Sequence, residues 1–158
     1  AAFDRMAQQI DDYLGGGDCV ALCVLQGGII AAGMLAPRIA APLQLDSLHL
    51  TRYRNTTRGG AVEWRARPRT PVQGRRVLLI DDILDEGHSL AAVRDWLVER
   101  GAAEVLVAVL VEKRHERKHP AIAADFTGLE VPDRYVFGYG MDYHGWHRNA
   151  PGIFAVAD

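Results

Sequence analysis

The sequence predicts an α/β protein, a mostly parallel twisted sheet flanked by helices. Three observations predict it. Apolar runs at 19–25 (CVALCVL), 77–80 (VLLI) and 104–111 (EVLVAVLV, apolar from Val105) read as strands covered on both faces. Segments with helical spacing alternate with those runs, which is the pattern of strand–helix–strand units. The chain is 158 residues long, 49% hydrophobic and 24% charged, which is enough to bury a core as one domain, 1–158.

Phe3, Met6, Ala7, Ile10, Tyr13 and Leu14 recur on one helical face until Gly15-Gly16-Gly17 stops them. No capping residue precedes this pattern, as in a helix cut at its start. After the strand 19–25, Gly27-Gly28 opens a small-residue helix that Pro37 ends. Residues 43–50 and 61–67 read as two further strands, with the polar, glycine-ended stretch 51–60 (TRYRNTTRGG) between them as a loop. The strand ending at Ile80 is followed from Ser89 by a helix carrying Leu90, Val93, Leu97 and Val98, with Gly101 at its C-terminal cap. Beyond Glu112 the chain is charged and aromatic, and short strands are expected at 135–139 and 152–157.

Charge excludes some functions. With 18 basic and 20 acidic side chains the net charge is −2, so no overall field draws the protein to nucleic acid or to a membrane. Residues 52–76 nevertheless carry eight arginines against Glu63, a local +7 that fits either a solvated face or a polyanion site. No apolar run has the length of a membrane span, and no signal-peptide pattern opens the chain. Cys19 and Cys23, four residues apart on one strand, lie about 13 Å apart, too far to pair. They are expected to be reduced thiols in a cytoplasmic protein.

The stretch that carries chemistry is 77–90, VLLIDDILDEGHSL. An apolar strand runs into Asp81-Asp82, then Asp85, Glu86, Gly87, His88 and Ser89 lead into a helix. In an open α/β sheet, ligands bind beyond the carboxyl ends of the strands. Backbone amides at a helix start suit a phosphate, and Gly87 allows close approach. Carboxylates beside them suit sugar hydroxyls or Mg²⁺.

This stretch resembles the phosphoribosyl-pyrophosphate signature of the type I phosphoribosyltransferases. Residues 131–156 (VPDRYVFGYGMDYHGWHRNAPGIFAV) are similar to the purine-binding end of the hypoxanthine-guanine members, and 24–28 (VLQGG) to their first substrate loop. The likeness runs in order from about residue 20 to 156. It implies a small purine-binding hood, formed mainly by about 126–158 with the N-terminal helix. It implies transfer of a 5-phosphoribosyl group to hypoxanthine or guanine, giving IMP or GMP and pyrophosphate. Asp81 and Asp82 would then hold the ribose hydroxyls, directly or through Mg²⁺. Asp85 would shuttle the purine N7 proton, and Glu86, Gly87, His88 and Ser89 would wrap the 5′-phosphate. Lys113 would donate to the purine 6-oxygen, Tyr135 would stack on the base and the Val136 carbonyl would read its edge. Asp142 would help to bind Mg²⁺, while Arg148, Gln26, Gly27 and, in the loop, Tyr53 would meet pyrophosphate. A homodimer or homotetramer is usual in the family.

The sequence departs from the family pattern at several places. Gln26 stands where many members carry lysine, and Arg52 where serine is common. Glu86 and His88 replace a frequent threonine and lysine, so Glu86 is assigned a backbone role. His115 and His119 have a ligand-like spacing, but Pro120 and the charged neighbours place them in an exposed turn. Trp64 and Trp96 read as packing residues. Two other functions compete: a nucleotide-sensing regulator of the same fold, which has no need of a proton shuttle, and an enzyme of the same fold using xanthine or adenine.

Overall fold

The central strand shows why the sheet forms. Residues 1–52 and 62–157 are described in a computed structural model. In β4 (Arg76–Leu84), Val77 and Leu79 face one side and Leu78 and Ile80 the other, the period-2 alternation of a strand. Each face meets helices. Val77 and Leu79 pack with Leu90, Val93 and Leu97 of α3 (His88–Glu99). Leu78 and Ile80 pack with Met6, Ile10 and Leu14 of α1 (Ala2–Leu14) and with Ala31 and Leu35 of α2 (Gly28–Leu35). Covered on both sides, the strand has no polar face to show in its sequence until Asp81.

β1 (Cys19–Leu25), β2 (Leu43–Arg52), β3 (Val62–Ala66), β4, β5 (Glu104–Arg114) and β6 (Phe126–Pro132) form one sheet in the order β3-β2-β1-β4-β5-β6. Only the edge strand β3 runs antiparallel to its neighbour. Its Trp64 lies 5.0 Å from Trp96 of α3, ring to ring, which bears out the packing role expected of both. From β1 the chain winds through α2 to β2, and from β4 it winds the opposite way through α3 to β5. The carboxyl ends of β1 and β4 therefore flank a crevice at the point where the winding reverses.

β6 was not anticipated from the sequence, where Gly128 breaks the strand pattern. The structure supplies the reason for the glycine. A Cβ at 128 would lie 2.6 Å from the Leu110 carbonyl oxygen of β5, which excludes a side chain, and 3.2 Å from Met6 Sδ of α1, which packs over the same spot. A short antiparallel pair, β7 (Val136–Phe137) and β8 (Phe154–Ala155), stands apart from the main sheet, as expected from the aromatic segments. The segment after β7 leans on α1, where Phe3 meets Tyr139 edge-on at 6.2 Å. Cys19 and Cys23 are free thiols, each pushed up to about 11 by burial. Among the described residues no helix is long and apolar enough to cross a membrane.

Candidate active site

Asp81 and Asp82 lie near the end of β4, and both line the crevice there. Asp82 is only 8% exposed and presses on the loop after β1: a Cβ at Gly27 would lie 2.3 Å from its Oδ2. A Cβ at Gly28 would lie 2.7 Å from the Ile80 carbonyl oxygen. The two glycines are thus what lets this loop slide under the acidic pair. Burial first, and then the neighbouring Asp82 charge, push the Asp81 carboxyl well above its ordinary range. Burial also raises Asp82, although hydrogen bonds from Asp81 and the Ile83 amide and the Arg148 charge oppose the rise. Two buried carboxyls in contact, both reluctant to ionise, form a site that gains from a divalent cation or from hydroxyl donors.

Gly87 opens α3 with φ 84, and a Cβ there would lie 2.5 Å from Ile122 Cγ2. Both the turn and the packing require glycine. The first-turn amides of a helix have no carbonyl partners within it, so they are free to donate to an anion. Asp81, Asp82, Asp85 through Leu90, and Arg52 line a cavity of about 230 Å³ at this point. An adjoining cavity of about 390 Å³ is lined by Gln26, Gly27, His49, Thr51, Arg65 and Arg148 and shares Asp81, Asp82 and Ser89. A larger cavity of about 460 Å³ lies between α2 and β2, but its walls are almost wholly apolar and it lacks this chemistry. The Glu86 carboxylate is occupied by Arg117 Nε at 3.6 Å and His88 Nε2 at 3.5 Å.

Asp85 has partners on both oxygens. Lys113 Nζ lies 3.1 Å from Oδ2 and His115 Nε2 lies 2.7 Å from Oδ1. Burial pushes the Asp85 carboxyl up, but the hydrogen bonds and charges of Lys113 and His115 outweigh it and hold the group below its ordinary value. Lys113 is brought here because β5 continues to Arg114, past the apolar run that marks it in the sequence. The exposed turn expected for His115 is not observed: its side chain is 5% exposed, buried against Asp85. His119 goes elsewhere, edge-on to His88 at 5.6 Å. The helical His115–His119 pairing therefore does not form.

The segment after β7 closes the crevice from above. A Cβ at Gly140, where φ is 104, would lie 2.0 Å from the Gly27 carbonyl oxygen, so this strap rests directly on the first loop. Arg148 Nη1 donates to the Gly140 carbonyl at 2.5 Å. Val136 is buried in β7, while Tyr135 is half exposed and donates its hydroxyl to the Asp142 carbonyl at 2.9 Å. Asp142 Oδ2 accepts the Gly145 amide at 2.9 Å, and Asp142 is not among the residues lining either polar cavity. Tyr53 lies outside the described residues. Sequence reasoning missed His115, His49 and the inward reach of Arg65. Arg65 belongs to the +7 segment but had no assigned task, and it lines the cavity that also holds Gln26.

An acid pair, a helix-start anion loop and a partly exposed Asp–Lys pair at the switch point of a parallel sheet suit a ligand that carries both hydroxyls and a phosphate. Residues 1–144 match the phosphoribosyl transferase domain family. The chain is 33% identical to a hypoxanthine-guanine phosphoribosyltransferase of Streptococcus pneumoniae over 93% of this chain and 81% of the relative. It superposes with TM-score 0.92 and 27% identity on a crystal structure of a Bacillus anthracis hypoxanthine-guanine phosphoribosyltransferase, covering 99% of this chain and 92% of that one. A Trypanosoma cruzi hypoxanthine phosphoribosyltransferase solved with its product IMP matches with TM-score 0.91 at 25% identity, covering 99% of this chain and 84% of that one. The chain belongs to the phosphoribosyltransferases and, among them, to the hypoxanthine-guanine phosphoribosyltransferase family.

Proposed function

We propose that the protein salvages purines, transferring the 5-phosphoribosyl group of phosphoribosyl pyrophosphate to hypoxanthine or guanine with release of pyrophosphate. The observation that carries this reading is the Asp85–Lys113 pair, a carboxylate and an ammonium 3.1 Å apart beside the anion loop. A 6-oxo purine offers both an acceptor at O6 and a proton at N7. Lys113 would turn from Asp85 to O6, and Asp85, released from one cation and so more basic, would take the N7 proton. Asp81 and Asp82 would hold the ribose hydroxyls, and the 86–89 loop with Ser89 the 5′-phosphate. Tyr135 and Val136, in a hood of residues 126–158 and α1, would meet the base.

Displacement of pyrophosphate at C1 builds positive charge on the ribose and negative charge on the leaving group. Arg148, Gly27 and Gln26 line the cavity where that negative charge would be received. Arg65 lines it too, and would supply the cation that Gln26 lacks. The hard oxygen donors of Asp81 and Asp82 fit Mg²⁺, whose bound form would neutralise the diphosphate. Asp142 is assigned a share in that binding through water.

Incubation with phosphoribosyl pyrophosphate, Mg²⁺ and each purine in turn tests the reading. Pyrophosphate should appear with hypoxanthine and with guanine. Release with neither would refute the assignment.

Replacing Asp81 and Asp82 together with asparagine should have opposite effects on binding and stability. Calorimetric affinity for Mg²⁺-phosphoribosyl pyrophosphate should fall at least about tenfold, because a hydrogen bond to a charged group is worth about 1.5–3 kcal/mol and about 1.4 kcal/mol is tenfold. The ligand-free protein should melt higher at neutral pH. Folding raises these carboxyl values, so it costs stability as pH climbs from the unfolded value, about 3.9, through the folded ones. Asparagine removes that cost. Lower melting of the variant at neutral pH would show that the pair is structural.

A further inference from the structure

His115 is a buried ring whose contacts the proposed chemistry leaves without a task. Its Nδ1 accepts the Arg117 backbone N–H at 3.0 Å, and its Nε2 faces Asp85 Oδ1 at 2.7 Å. A backbone amide can only donate, so the lone pair sits on Nδ1 and the ring proton on Nε2, aimed at the carboxylate. This tautomer satisfies both contacts, and the opposite one satisfies neither.

On the reading above, Lys113 leaves Asp85 Oδ2 for the purine 6-oxygen when the base binds. A carboxylate then held at neither oxygen would turn about its last torsion, which is broad and nearly two-fold. Asp85 is instead still held at Oδ1. The ring that holds it is itself fixed: it is 5% exposed, and its neighbour Arg117 is tied to Asp133 Oδ2 at 2.8 Å and to Glu86 Oε1 at 3.6 Å. We propose that His115 is the positioning residue of the reaction, holding Asp85 by Oδ1 so that Oδ2 alone is presented to N7. This rests on the assignment of Asp85 as the proton acceptor.

A metal role for the same residues is less consistent with the contacts. Donor atoms of Asp85, His115 and Asp133 come within 4.8 Å of one another. Both carboxylates, however, already face cations, Lys113 on Asp85 and Arg117 on Asp133. An added cation would meet two others.

The test compares His115→Leu with His115→Gln, whose amide nitrogen falls near the position of the imidazole Nε2 and keeps the donor. Each is made in the parent and in an Asp85→Asn background, and turnover of hypoxanthine is followed. His115→Leu should lose between about tenfold and about a hundredfold in kcat, with KM for phosphoribosyl pyrophosphate unchanged. His115→Gln should recover most of that loss. In the Asp85→Asn background the Leu change should cost less than about twofold, because the group it positions is already gone. If the Leu variant melts below the assay temperature, His115→Asn, whose shorter amide does not reach Asp85, replaces it. Equal losses in both backgrounds, a Gln variant no better than Leu, or a Leu variant matching the parent would each overturn the proposal. With an active parent, those results overturn the role of His115 alone. A parent inactive on every purine overturns the function with it.

Discussion

Asp85→Asn lowers kcat at least about a hundredfold while phosphoribosyl pyrophosphate still binds; this is the largest single effect expected. A positioned general base contributes typically 10²- to 10⁴-fold, and asparagine has a similar size without a basic oxygen pair. Its single amide oxygen can accept one of the two donors that face Asp85, Lys113 Nζ or His115 Nε2, while the amide NH2 meets the other. The side-chain shape is kept, so local packing should survive apart from that one contact. On the proposed assignment Asp81, Asp82 and the 86–89 loop hold the sugar, so the variant should separate proton transfer from sugar binding. The comparison to make is single-turnover rate against calorimetric affinity for phosphoribosyl pyrophosphate. Turnover within a few-fold of the parent would remove Asp85 from the chemistry.

Adenine should trail hypoxanthine and guanine by a hundredfold or more in kcat/KM, and Lys113 is the reason. An ammonium has three donors and no lone pair. Opposite a 6-oxo group it makes a charge-assisted hydrogen bond, stronger than a neutral one. Opposite the 6-amino group of adenine it meets another donor, and both are left unsatisfied in a closed site. The Lys113 side chain is only 12% exposed, so water has little access to relieve the mismatch. An unpaired buried donor costs about 1–3 kcal/mol, more when charged, and 1.36 kcal/mol is tenfold in rate. Lys113→Ala should slow both oxo-purines and narrow the gap to adenine. Parent protein that used adenine as readily as hypoxanthine would show that Lys113 does not read the base.

The parts of this architecture that the sequence displays are those with a strong local period. β1, β4 and the apolar part of β5 are buried on both faces, so their composition alone marks them. α1 is read from its single buried stripe, Met6, Ala7, Ile10 and Leu14. β6 escaped because the glycine that breaks its pattern is set by the neighbouring strand, where the Leu110 carbonyl leaves no room for a Cβ. The site divides in the same way. Asp81 through Ser89 are contiguous, and their order carries their meaning. His115 looked exposed because its neighbours are charged, yet those charges belong to Arg117 and Glu116, which point outward while the ring turns in. Arg65 stood out only as part of a basic run, since whether an arginine on an edge strand faces solvent or a cavity depends on pairing between β2 and β3.

The Trp64–Trp96 pair gives the molecule an optical gauge of its own. The rings lie 5.0 Å apart at 45°, with the Arg67 guanidinium 5.5 Å from the first and that of Arg100 4.2 Å from the second. Two indoles that close and that skewed couple their transition dipoles, and the coupling appears as a paired band in circular dichroism. One indole rides on β3 immediately before Arg65 and the other on α3, whose first turn forms the anion loop. The strength of that band should therefore follow the seating of the edge strand against the helix, and with it the placement of Arg65 beside the cavity lined by Gln26 and Arg148. No external dye is needed to follow it.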